Sequence, residues 1–143
     1  MNNSVETKKA DVRKNIENVF GSATKKIKDI ISVCPNWRVE NVAIGYKGCR
    51  VDLDLMGIER YRELVIRYQA KIENFQEEYF ETDVPNCGSF ALLDENDNLK
   101  YYAAIGDILN HKDMLSLLKE TMVYYTNRIS ELREEYRKLD QEA

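Results

Sequence analysis

Apolar residues recur every three or four positions at Val12, Ile16, Val19, Ala23, Ile27 and Ile30, a spacing that gathers them on one face of a helix. A first helix is therefore expected over residues 1–33. Asn3 and Glu6 stand at the capping-box separation that would start it. Pro35 stops it, and the proline pushes Cys34 away from helical geometry. Gly21 and Ser22 weaken its middle, since glycine inside a helix costs about 1 kcal/mol against alanine. From residue 36 to 57 the period changes to two: Val51, Leu53 and Leu55 alternate with Arg50, Asp52 and Asp54, while Val42 and Ile44 alternate with Ala43 and Gly45. Tyr46-Lys47-Gly48 lies between these runs as a short turn with a glycine available for positive φ, which predicts a β-hairpin with one buried and one polar face.

A three-and-four spacing returns at Ile58, Tyr61, Val65, Tyr68, Ile72, Phe75 and Tyr79, and predicts a second helix over residues 58–80 with an a/d seam. After a loop at 83–88, residues 89–93 and 99–105 flank the polar stretch 94–98, the pattern of a second hairpin over 89–106. The last helix is expected over 110–141, with Asn110 as N-cap, Asp113 in its first turn, and Leu109 and Met114 as a hydrophobic staple. Its seam runs through Leu115, Leu118, Met122, Tyr125, Ile129, Leu132, Tyr136 and Leu139.

The expected architecture is thus one α+β domain over residues 1–143 in the order α-ββ-α-ββ-α, with antiparallel hairpins packed on helices. A weak internal echo accompanies that order. The segment 71–79 reads like 128–136, and each hairpin runs into a glycine, Gly57 or Gly106. Heptad helices with Glu-rich outer faces converge on such strings without duplication.

Composition narrows the partners. A chain of 143 residues with 43% hydrophobic and 32% charged residues suits one globular domain rather than a disordered segment. The net charge is −4, yet residues 1–33 are basic, carrying Lys8, Lys9, Arg13, Lys14, Lys25, Lys26 and Lys28 against Glu6, Asp11, Glu17 and Asp29. Acids interrupt the basic stretch, and its one aromatic is Phe20. That is a poor footprint for nucleic acid, which needs a dense basic face. It suits a helix lying against an acidic surface of a partner or a second copy. No apolar run reaches the roughly 18–20 residues needed to span a bilayer, and residues 1–6 lack a charged-then-apolar signal pattern. Cys34, Cys49 and Cys87 are odd in number and widely spaced, so neither a disulfide framework nor a zinc knuckle follows. A cytoplasmic location with reduced thiols is expected.

Candidate chemistry is sparse. Asp52 and Asp54 share one face of a strand, where two carboxylates could hold a divalent cation. The string Asp52-Leu53-Asp54-Leu55 resembles the acidic strand of nucleotidyltransferases, which would imply a metal-dependent enzyme. That family places a Gly-Ser turn about ten residues upstream; here Gly45-Tyr46 is too close and lacks the serine, and Gly21-Ser22 lies on a helix. Asp94, Asn96 and Asn98 occupy the first ligand positions of an EF-hand-like loop, but Leu99 stands where glycine is needed and Ile105 where the glutamate belongs. His111 is the only histidine, and with Cys87 it makes a nucleophilic pair without an orienting third group. No glycine spacing forms a phosphate cradle. Catalytic, metal and cofactor residues are therefore expected to be none.

The aromatic content is the stronger signal. Tyrosine is awkward in a fully buried core and enriched where proteins meet. The seam of the last helix also spans about 37 Å at 1.5 Å per residue, longer than the roughly 17 Å covered by five-residue strands, so its end needs another helix. Leu118, Met122, Tyr125, Ile129, Leu132 and Tyr136 are the expected interface of a homodimer. The element order and the acidic, small chain resemble small secretion chaperones, implying a homodimeric adaptor that holds a protein partner. Residues 89–106 resemble the central hairpin of GAF or profilin-like sensors, implying instead a small molecule held between sheet and helices.

Overall fold

A computed structural model of the chain describes residues 2–34, 37–55, 63–70, 79–84, 89–93, 99–101 and 112–142. It is an α+β fold. Helix α1 (Asn2–Ile31) is followed by strands β1 (Trp37–Gly45), β2 (Gly48–Leu55), β3 (Glu63–Gln69), β4 (Tyr79–Val84), β5 (Ser89–Leu93) and β6 (Leu99–Tyr101), and helix α2 (Lys112–Glu142) closes the order. All strands are antiparallel to their neighbours, and spatial order equals chain order. The sheet is a meander.

The expected second helix is overturned. Residues 63–69, its middle, are strand β3, and Tyr79 opens β4. Leu64, Ile66 and Tyr68 of β3 point to the core, at 0%, 0% and 3% exposure, and pair with Leu53, Val51 and Cys49 of β2. Val65 between them is buried as well, and the β-branched and aromatic content decides the element, because a strand in the middle of a sheet is filled by such residues. The order α-ββ-α-ββ-α, and the likeness to secretion chaperones that rested on it, lose their second helix here. The echo between 71–79 and 128–136 goes with it, since Tyr79 is in a strand and Tyr136 in a helix; the rest of that first string, 71–78, lies outside the described residues.

The first hairpin forms where expected, and its detail differs. Tyr46-Lys47 is a two-residue turn closed by the Gly45–Gly48 pair, and positive φ falls on Lys47 (52°) rather than on Gly48. Two backbone bonds hold the turn. Ala70 N–H donates to the Lys47 carbonyl at 2.8 Å, and Lys47 N–H donates to Ser130 Oγ of α2 at 3.3 Å.

Helix α1 runs unbroken through Gly21 and Ser22. It ends in a tight turn in which Ser32, Cys34 and Trp37 N–H groups donate to Lys28, Ile31 and Cys34 carbonyls, satisfying acceptors that a helix end leaves open. Helix α2 has about the same length, roughly 45 Å at 1.5 Å per residue. The two lie side by side and antiparallel: Lys9 meets Asp140 at one end, and Ile30 and Val33 border Met114 and Leu117 at the other. Helix α1 packs chiefly on α2 and touches the sheet at β1, whereas α2 crosses β1, β2 and β3.

The core is the space these three share. Ala23, Ile27 and Ile31 of α1 meet Leu115, Leu118, Met122 and Ile129 of α2 over Val51, Leu53, Leu64 and Ile66, with each of these side chains at most 1% exposed. Fully burying one such aliphatic side chain contributes about 1.5–3 kcal/mol. Alanine at position 23 lets the helices approach, so a larger side chain there would overpack the seam.

Two substitutions test this local reading. Gly21 is exposed in mid-helix, and a Cβ there would meet nothing, so Gly21→Ala should raise stability by about 0.5–1 kcal/mol. Lys47→Gly relieves a left-handed residue while keeping both backbone bonds, and should raise it by up to about 1 kcal/mol. The sites are independent, so urea unfolding of the double variant should return the sum.

Candidate protein-binding surface

The six residues expected to form an interface divide into two groups. Leu118, Met122 and Ile129 are 0% exposed and Leu132 is 2% exposed. They are buried within the chain itself, Leu118, Met122 and Ile129 in the core that α1 and the sheet share. The helix that the long seam needs is supplied by α1. Tyr125 and Tyr136 are half-buried. Tyr136 packs under two cations of α1, with Lys9 Nζ 5.4 Å and Arg13 5.7 Å from its ring centroid. Tyr125 meets the ring of Tyr124 edge-on, at 5.0 Å and 85°.

One residue of the basic α1 meets an acid of α2 in the same chain. Lys9, with a side chain only 11% exposed, donates to Asp140 Oδ1 at 2.8 Å and lies 3.7 Å from Glu6. The hydrogen bond to Asp140 raises the Lys9 pKa above its ordinary value, with the charges of Asp140 and Glu6 adding to it.

On the other side of the helix pair, away from the sheet, apolar side chains reach solvent. Val33 is 55% exposed, Leu117 44% and Tyr124 62%. Val33 and Leu117 line an open groove of about 480 Å³ between the end of α1 and the start of α2, with Ile30 and Met114 at its floor and Lys26, Asp29 and Asp113 at its rim. Tyr124 follows Leu117 by seven residues, two turns along the same face of α2. Sequence periodicity missed this strip because its members are spaced outside the seam; the signal was the apolar residues left over once the seam is assigned.

The residues singled out for chemistry are placed apart. Asp52 and Asp54 lie on the polar face of β2, and each has an arginine: Arg50 Nε donates to Asp52 at 2.7 Å, and Arg38 donates to Asp54 at 3.3 Å while also holding Glu40. Arg38 and Asp54 are cross-strand partners, and a bulge between Val39 and Asn41 follows them on the edge strand. Among the described residues no three His, Cys, Asp or Glu side chains gather as a metal site, and no helix is long and apolar enough to cross a membrane. Asp94, Asn96, Asn98, Cys87 and His111 lie outside the described residues.

Cys34 and Cys49 are buried thiols, neither of them in a disulfide. Burial pushes the Cys49 thiol up to about 12, and only a contact with the Thr126 hydroxyl opposes it. That hydroxyl has no other partner in the core. A thiol so raised is not a nucleophile at neutral pH. Comparison of the chain with protein-family models, with curated proteins and with solved structures finds no match in any of the three.

Two outcomes follow from this geometry. The arginine partners replace the bare repulsion between Asp52 and Asp54, so Asp52→Asn with Asp54→Asn should cost up to about 1 kcal/mol, the range of exposed pairs, and millimolar Mg²⁺ or Ca²⁺ should leave Tm unchanged. For Cys49, the unfolded thiol ionises near 9.0 and the native one near 12. Its contribution is therefore complete below pH 9 and falls as pH climbs toward 12, by about 4 kcal/mol across the interval. Cys49→Ala should be about 1 kcal/mol less stable than wild type at pH 8 and the more stable of the two by pH 11, with urea unfolding at each pH as the measurement.

Proposed function

We propose that the chain is a non-enzymatic protein-binding module, an adaptor or chaperone-like protein of the cytoplasm, that docks its partner on the solvent side of the α1–α2 pair. The observation that carries this reading is the gathering of Val33, Leu117 and Tyr124, three of the four large exposed hydrophobics among the described residues, on that one side. Exposed aliphatic and aromatic groups beside a groove are costly to leave wet and mark docking surfaces. Of the six seam residues first expected to make the interface, four serve the chain's own core. Two buried thiols outside any disulfide suit a reducing compartment.

The groove also bears on the sensing alternative. At about 480 Å³ it has the size of a ligand pocket, but it is open and lies between two helices, not between sheet and helices. A shallow apolar groove of this kind fits a partner's side chains better than an enclosed small molecule.

The test is a photoreactive amino acid at position 117 or 124 of the full chain in the cells that make it, with position 52 on the sheet's polar face as control. Discrete protein adducts from 117 and 124, absent from 52, are expected on mass spectrometry. Their absence, or equal adducts at 52, would overturn the docking surface.

A further inference from the structure

The exposed ridge of α2 keeps its spacing when read backwards, with its charges reversed. Asp113, Leu117, Tyr124 and Arg128 succeed one another at steps of four, seven and four residues, which at 100° per residue keeps all four within about 60° of one another. All four are exposed. The ridge is an acid, an aliphatic, an aromatic and a base, centred between Glu120 and Thr121. Thr121 is buried, its hydroxyl donating to the Leu117 carbonyl at 2.8 Å, while Glu120 beside it is exposed.

Resting on the docking surface proposed above, we infer that its occupant is a second copy of this chain, with the two α2 helices antiparallel about a twofold axis through residues 120 and 121. A twofold contact is self-complementary: if residue i meets residue j, residue j meets residue i. Antiparallel pairing about that centre sets Asp113 against Arg128 of the other copy at both ends and Leu117 against Tyr124 twice in the middle. The contact runs about 22 Å along each helix. The charges fix direction and register, because a parallel pairing would put acid on acid and base on base. Arg128 stands 3.5 Å from Glu131 of its own helix with its side chain 45% exposed, and it remains accessible to an opposing carboxylate. A contact this short makes a weak dimer, with a Kd of about micromolar order.

Sedimentation equilibrium of the full chain tests the inference with two charge reversals. Asp113→Arg alone and Arg128→Asp alone each set like charges together at both ends, and each should weaken self-association at least about tenfold. Mixed one to one, the two variants bring an arginine against an aspartate at both ends, so a heterodimer with a Kd within about threefold of the wild-type dimer is expected. Leu117→Ala with Tyr124→Ala should be monomeric, with its helix content in circular dichroism retained. A wild type that stays at 16.7 kDa up to about 100 µM, or variants that fail to recover on mixing, would overturn the second copy as occupant. The docking surface itself would then stand or fall on the cross-link adducts, which would carry a foreign protein if it holds and none if it does not.

Discussion

The antiparallel contact of α1 with α2 governs what the rest of the chain can do. Helix α2 brings a seam that runs most of its length, and a meander of short strands can cover only the part that crosses β1, β2 and β3. Helix α1 covers the remainder with Ile27, Ala23 and Val12, and at the far end it covers Tyr136 with the stems and charges of Lys9 and Arg13. Removing α1 would expose Leu118, Met122, Ile129 and Leu132 together. That amounts to several kcal/mol of apolar burial, a large share of the 5–15 kcal/mol that separates folded from unfolded for an ordinary domain.

The same contact decides which surface is free. Two helices side by side on one face of a sheet present two flanks of their seam. One flank is closed by the sheet, where Thr126 meets Cys49 and Ser130 accepts from the Lys47 turn. The other is open, and there Val33, Leu117 and Tyr124 reach solvent. On the polar face of β1 and β2, Arg38, Glu40, Arg50, Asp52 and Asp54 pair with one another, and the bulge at the β1 edge interrupts the regular ladder that strand addition requires.

Much of the fold was legible in the chain, and the failures have physical causes. Periods of 3.6 and 2 located both long helices and the first hairpin to within a few residues. They misread residues 58–80 because Tyr61, Val65, Tyr68 and Ile72 fit a heptad by coincidence, while the run Leu64-Val65-Ile66 inside it carries no period that separates a helix from a buried strand. Its β-branched and aromatic content was the better guide. The lone glycine in the first turn drew the positive φ to itself in the reading, and the turn placed it on Lys47 instead, since two-residue loops are set by the twist of their strands. As for the site, the seam of α2 was seen correctly and its covering was not. Periodicity reports that a face is apolar, and it does not report whether the chain covers that face with its own helix or with another molecule's. The strip at Leu117 and Tyr124 was overlooked because its members fall outside the seam, as apolar residues left over once the seam is assigned.

The claim that α1 of the same chain covers the α2 seam is tested most directly by a distance across the pair. In a chain whose Cys34, Cys49 and Cys87 are replaced by alanine, spin labels at the exposed positions Lys14 and Glu135 sit on neighbouring helices whose axes lie about 8–10 Å apart. Pulsed electron resonance should give a label separation of about 10–25 Å, and that separation should survive dilution with a large excess of unlabelled chain. A separation that is long, or a short one that disappears on dilution, would place another molecule's helix on the seam and contradict the account.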